Sequence, residues 1–502
     1  MSVRRIVKTV SATLGGTGVN LINQLLLAPI FLHKYGVASY GDWLTLTATV
    51  NYLTTLNFGL HTYANNQATI HYNRGELKEA RLLQATTLLL ILAIVAGAAA
   101  ITTFVFFLPI NEWLRLSESS FVVSATLYLL GLQVLGRILF GFFTGMFLVL
   151  GVAYRGTNWT NAQGLAATFG SAALLYAHVS FIWLAALQCI TIAVFCLMAA
   201  IDFRIKAPHL FPRLRNAQPK SFKEILRPSG YFGMLFTSNF LVYQLPVALM
   251  QRILGPTSVV VFSLSRTIYS MSRLCLIAMS WAIGPEITEL YGKHEWKRLF
   301  RLYELSERVI FALVPITTIG TLLATPLLMV IWLHKPGLYD PYVCLLMALI
   351  SGVMGIKEHK NQFQVSSNEH TSLAKLMFWG YVVMIILAIP GIHYYGVLGF
   401  LGIWLITEVI QVLAILRLNQ QLFASSSRLN FSPVYKLFAV MGIATASGAW
   451  FAATAGQRPL PYVALTAAIF AGTLAAIGYP LFGLAEVRTY LKGRTLLRSA
   501  QL

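Results

Sequence analysis

Residues 71–83 read HYNRGELKEARLL and residues 290–302 read LYGKHEWKRLFRL, two polar turns in a chain that is otherwise mostly apolar. Laid over one another they pair Tyr72 with Tyr291, Glu76 with Glu295 and Lys78 with Lys297, each at one spacing (291 − 72 = 219). The spacing recurs upstream, where Gly36 pairs with Gly255 (255 − 36 = 219) and Asn20 with Asn239 (239 − 20 = 219). Such self-similarity predicts two copies of one structural unit.

The surrounding composition says what the units are made of. Of 502 residues 57% are hydrophobic and only 11% charged, where a soluble domain carries about 25% charged residues. A helix of roughly 20 apolar residues crosses about 30 Å of hydrocarbon, and hydropathy marks about 14 such spans. They fall at 12–32, 40–63, 82–108, 121–150, 159–177 and 181–201, then 231–253, 257–283, 309–333, 342–356, 373–392 and 397–418, with a last pair at 434–455 and 461–484. An even number of spans separates the copies, which gives both the same orientation and makes the repeat a parallel one. The expected fold is therefore an all-α integral membrane protein with two six-helix lobes, 1–203 and 230–424. A basic cytoplasmic linker, 204–229, with Pro208, Pro212 and Pro219, joins them. Residues 425–502, opening on SSSRLNFSP, add two helices and the basic tail RTYLKGRTLLR.

The net charge of +20 fits a nucleic-acid partner less well than it fits a topology. With a cytoplasmic N-terminus, about 28 of the 37 Lys and Arg fall on the cytoplasmic side and about 5 outside. That asymmetry places both termini in the cytoplasm and explains the charge without a polynucleotide, while adding a weak attraction to anionic headgroups. MSVRRIVK and the apolar stretch after it read as an uncleaved first helix, since the stretch is long, polar-spotted and followed by no small-residue cleavage site. Cys189, Cys196, Cys275 and Cys344 make no CxxC pattern, so neither zinc nor a disulfide framework is expected. Neither a GxGxxG nor a Walker loop is present, which excludes an ATP-driven pump at the level of this chain, and no metal-ligand or nucleophile motif stands out. No cofactor is expected. Outer loops of about 4 to 12 residues argue against an enzyme acting outside the membrane.

Polar residues inside the spans are then the candidates for function, because each is costly there unless it is used or paired. Residues 259–283, VVVFSLSRTIYSMSRLCLIAMSWAI, carry Arg266 and Arg273 seven apart, hence on nearly one helix face and roughly 10 Å apart along it. Arg137 lies about 24 Å down the fourth span. These arginines read either as pins for helix ends and carbonyls or as a cationic wall for an anionic substrate. Span one carries Asn20, Asn23 and Gln24 on one face; span seven offers Asn239, Tyr243 and Gln244. Amides and phenols suit sugar hydroxyls, and equally serve as interhelical hydrogen-bonding groups. Among acids only Glu408 falls squarely mid-span, as an ion-coupling carboxylate or as partner of an intramembrane arginine. Asp42 falls at an outer helix start, and KEHKNQF, from Lys357, at the cytoplasmic end of span ten.

Two stretches carry a family resemblance. KYGVASYGDWLTLTATVNYLTTLNFGL, residues 34–60, and RILGPTSVVVFSLSRTIYSMSRL with IGPEITELYG, residues 252–274 and 283–292, resemble the corresponding segments of bacterial polysaccharide flippases. These are the O-antigen and exopolysaccharide translocators of the multidrug/oligosaccharidyl-lipid/polysaccharide exporter superfamily, and the resemblance continues weakly over nearly the whole chain. It implies a V-shaped, MATE-like pair of six-helix lobes with two additional helices and a cationic cavity exposed alternately to the two faces. It also implies a bacterial cytoplasmic membrane, and an oligosaccharide on polyprenyl pyrophosphate as substrate, its pyrophosphate at Arg266, Arg273 and Arg137 and its sugars at the amides and aromatics. A polysaccharide polymerase and a chain-length regulator are the implied protein partners. The chain departs from related lipid-linked sugar flippases in span one, where Asn20, Asn23 and Gln24 stand in place of an arginine, and in span seven, where NFLVYQLPVAL lacks an acid. The alternatives are an ion-coupled multidrug exporter of the same superfamily and, disfavoured by the short outer loops, a membrane glycosyl transferase or ligase.

Overall fold

The computed structural model describes residues 3–57, 60–218, 222–367, 370–423, 432–455 and 459–486. The tail RTYLKGRTLLR, most of SSSRLNFSP, Pro219 and the first two residues of MSVRRIVK lie outside the described residues. Every element among the described residues is helical, as hydrocarbon requires of a chain whose backbone polar groups must be satisfied within each segment.

The helices are α1 Val3–Lys34, α2 Gly36–Val50, α3 Leu60–Asn73, α4 Leu77–Thr102, α5 Ile110–Trp113, α6 Ser120–Met146, α7 Ala153–Tyr176 and α8 Phe181–Lys206. There follow α9 Phe222–Tyr243, α10 Leu245–Leu254, α11 Pro256–Ala282, α12 Gly284–Gly292, α13 Trp296–Ile331 and α14 Pro341–Ser366. The last are α15 His370–Leu422, α16 Ser432–Ala455 and α17 Leu460–Leu481. Ten stretches among them are long and apolar enough to cross a membrane. About fourteen crossings follow once four more are recognised. One is α2 with α3, joined by a 3-10 stretch at Asn51–Asn57. Another is α7, dotted with polar side chains, and a third is α16, rich in alanine and small polar residues. The fourth comes from α15, whose two halves meet at Gly396 (φ 61°, ψ −144°), a conformation essentially closed to residues with a Cβ.

The 219-residue repeat is written in the backbone. Gly36 and Gly255 both take a positive φ, 82° and 88°, the first opening α2 and the second just before α11. Gly75 and His294 do so at 79° and 56°, and the next residues, Glu76 (φ −83°, ψ 65°) and Glu295 (φ −83°, ψ 61°), cap α4 and α13 in the same conformation. The amides of Glu76 and Glu295 reach back to the carbonyls of His71 and Leu290 at 2.9 and 3.0 Å, again one repeat apart. The chain packs as two compact units, 1–260 and 261–502. This division by packing falls one span later than the linker at 204–229, because α9 lies on the 3-10 stretch after α2 and α10 lies on α2.

In the first unit α6 is the spine, packed on α8, α4, α2 and α3, while α1 lies along α7. Gly16 permits that approach, since a Cβ there would meet Asn161 Oδ1 at 2.7 Å, and Asn161 Nδ2 donates to the Ala12 carbonyl at 2.8 Å. Asp42, buried, accepts from the Ser117 amide (2.9 Å), the Ser117 hydroxyl and Gln251 Nε2 (2.9 Å), pinning the start of α2 to the loop before α6 and to α10. Arg155, at the start of α7, grips Asp202, near the end of α8, through two nitrogens at 2.7 Å each, and Trp159 Nε1 donates to the same carboxylate at 2.9 Å. In the second unit α13 is central, with α14, α16 and α17 against it and α14 paired along α15. Ile319 and Leu323 of α13 meet Val463 and Leu474 of α17, which seats the additional helix pair on the unit.

Candidate substrate cavity

Five helices of the first unit line a cavity of about 430 Å³. α1 contributes Asn20 and Asn23, α6 Gln133 and Arg137, α7 Asn161 and Gln163, and α8 Gln188, with Trp43 of α2 on the wall. Helical spacing explains the gathering: Gln133 and Arg137 are four apart, hence one above the other on α6, and Asn20 and Asn23 are three apart on α1. Gln133 and Gln163 are buried, whereas Arg137 is exposed. No acid among the described residues forms an ion pair with Arg137. A guanidinium has five donors and no acceptor, and amides present both, so the cavity offers one fixed positive charge amid mixed hydrogen-bonding capacity. It suits an anionic head joined to a hydroxyl-rich body.

A second hollow of the same unit, about 450 Å³, shares Thr160 with the first; its wall is mostly apolar, with His61, Asn65 and Thr144 among its polar side chains. Asn65 is 2% exposed, and neither its Oδ1 nor the His61 Nδ1 has a hydrogen-bond partner there.

The remaining sequence candidates lie elsewhere. Gln24 is exposed and outside the cavity wall, because one step round α1 from Asn23 turns it away. Asn239 is exposed on α9, and Tyr243 and Gln244 lie half-buried at the break between α9 and α10; none of the three lines the cavity. Arg266 and Arg273 belong to the second unit, on the unbroken helix α11, both half-buried. The Arg266 guanidinium lies over the Phe262 ring, 5.2 Å from its centroid, and Arg273 Nη1 approaches Met354 Sδ at 2.7 Å. α11 itself is fastened by Tyr269, whose hydroxyl meets Thr325 at 3.2 Å and whose carbonyl accepts from Ser351 at 2.9 Å.

Glu408 is fully buried, and its partner is a lysine rather than an arginine: Lys357 of α14 donates to its Oε2. KEHKNQF does not end a span at the surface. α14 runs on to Ser366 with Lys357, His359, Lys360 and Asn361 all buried, and α13 and α15 supply partners for the first three. Lys360 pairs with Glu307, and His359 Nε2 meets the Ser306 hydroxyl at 2.8 Å. Hydropathy missed this interior because a charge in a window lowers its score whether or not an opposite charge faces it. Gln133, Gln163 and Gln188 were missed as well, although Gln133 four residues before Arg137 is a signal that helical spacing alone carries.

No protein-family model and no curated relative matches the chain. Among solved structures it is similar to the lipid II flippase MurJ in an inward closed conformation, with a TM-score of 0.71 at 11% identity over 98% of this chain and 100% of that one. It is also similar to an inward-facing multidrug resistance MATE family transporter of the MOP superfamily, with a TM-score of 0.67 at 14% identity over 82% of this chain and 96% of that one. A MOP superfamily transporter from Pyrococcus furiosus aligns with a TM-score of 0.61 at 14% identity, over 84% of this chain and 96% of that one. At such identities the likeness establishes the fold, and the fold is MATE-like.

Proposed function

We propose that this chain is a flippase of the bacterial cytoplasmic membrane that moves a polyprenyl-pyrophosphate-linked oligosaccharide outward for surface polysaccharide assembly. The observation that carries the reading is the cavity of the first unit, where Arg137 stands among amides and no acid is among the lining residues. A pyrophosphate takes the guanidinium in a charge-assisted pair, stronger in a low-dielectric cavity than in water, and the amides take sugar hydroxyls. Arg266 and Arg273, on one face of α11, supply further positive charge for the same anionic group as access alternates. The lobes of that motion are 1–203 and 230–424, both termini are cytoplasmic, and a polymerase and chain-length regulator receive the product. No bond is made or broken.

A multidrug exporter of cationic amphiphiles shares the fold but is poorly matched by a cavity whose one charged lining residue is Arg137. The deciding experiment is mass spectrometry of polyprenyl lipids in cells lacking the protein and in cells with it restored, with leaflets assigned by an impermeant glycosidase. An intact pyrophosphate-linked oligosaccharide is expected to accumulate in the cytoplasmic leaflet and to clear on restoration. Unchanged lipids with new sensitivity to cationic drugs would replace the flippase by the exporter, and glycosidic transfer by the purified protein would make it an enzyme.

A further inference from the structure

Three carboxylates among the described residues are buried, and only two of them face cations: Glu307 faces Lys360 and Glu408 faces Lys357. The second pair differs in kind from the first. Around the Lys357 ammonium stand three oxygens, Glu408 Oε2, the Tyr381 hydroxyl at 2.6 Å and Gln411 Oε1 at 3.2 Å, one for each of its hydrogens. The other carboxylate oxygen, Glu408 Oε1, is held by the Tyr381 hydroxyl at 2.8 Å and by Trp404 Nε1 at 2.9 Å. Gly380 makes room for this shell, since a Cβ there would come within 2.7 Å of Gln411 Nε2. Lys360, by contrast, has one carboxylate and the faces of Tyr303 and Phe311, 4.2 and 5.4 Å from their centroids. Oxygen shells of carboxylate, phenol and amide are what a monovalent cation takes in place of water.

We propose that the Glu408–Tyr381–Gln411 cluster is a monovalent-cation site which the chain fills with its own Lys357 ammonium, so that transport draws on no cation exchanged at Glu408. A carboxylate in mid-span is the group that sodium- or proton-driven export needs, and here its charge is already cancelled by a tethered cation that cannot leave. Whatever drives the cycle enters elsewhere, through another group, the membrane potential or consumption of the cargo. The proposal is independent of which cargo is carried.

The test is thermal melting of the detergent-purified full-length protein at matched ionic strength. The wild-type midpoint should be the same in sodium, potassium and choline chloride. Lys357→Ala, which leaves the Glu408 shell empty and its charge uncompensated, should melt about 5 °C lower or more in choline. It should recover at least half of that loss in ethylammonium, which fits the space of the missing side chain, and part of it in sodium. A wild-type midpoint raised by sodium over choline overturns the proposal, as does a Lys357→Ala protein that ethylammonium leaves unmoved. If Lys357→Ala does not accumulate, Lys357→Met combined with Glu408→Gln decides in its place. With both charges removed that protein should fold and melt alike in every salt, and its failure to accumulate overturns the proposal.

Discussion

Arg137 decides more than any other single side chain. It projects from α6 into the cavity, exposed, one turn below Gln133. Its replacement therefore opens no packing defect, and its effect reads on cargo. Loss of a hydrogen bond to a charged group costs about 1.5–3 kcal/mol, so Arg137→Ala should lower translocation roughly 10- to 100-fold at unchanged protein level, measured as leaflet inversion of the lipid-linked sugar in proteoliposomes. Arg137→Lys should retain more, keeping the charge while losing the planar fork. Equal translocation by Arg137→Ala and wild type would leave the cavity without its anionic ligand. The residue and its depth in span four were legible in the sequence; its company was not. Asn20 and Asn23 arrive from α1, more than a hundred positions away, and Gln188 from α8.

At the scale of elements, close helix approach is what shapes the cavity, and glycine permits it. A Cβ on Gly156 of α7 would lie 2.0 Å from the backbone carbonyl oxygen of Thr144 on α6. Backbone cannot yield as a side-chain end can, so Gly156→Ala should destabilise by about 3 kcal/mol or more, read as a lowered melting midpoint, with translocation lost in step with the folded fraction. Gly18→Ala, with nothing within 4 Å of its Cβ, is the matched control and should melt as wild type. Helix positions were largely readable from apolar runs. Their ends were not wherever polar side chains are paired within the bundle: span ten extends past Ile356 to Ser366 because Lys357 and Lys360 find Glu408 and Glu307. A hydropathy window sums side chains along one helix, whereas the cost of burying a charge depends on what faces it.

At the scale of the whole molecule, the repeat and the charge asymmetry make one joint statement about topology. Single cysteines tested in a chain whose exposed Cys275 has been replaced by serine should sort by side. Arg74→Cys and His294→Cys, in the two repeated turns, should react with an impermeant maleimide only after the inner membrane is breached; His178→Cys and Lys335→Cys should react in intact cells. Opposite sidedness of Arg74→Cys and His294→Cys would mean an odd number of spans between the copies and would abolish the parallel repeat. The sequence by itself determined the membrane class, the approximate number of spans and the twofold internal repeat, because each follows from composition and order along one strand of chain; for the orientation its charge asymmetry sets an expectation that the labelling tests. The 219-residue offset even carried through to matching dihedrals at Glu76 and Glu295. Only the tertiary structure decided which polar residues share a cavity and which cancel one another. Arg137 stands amid amides while Glu408, also within a span, is closed by Lys357, a difference that arises from which helices pack together and that no single span records.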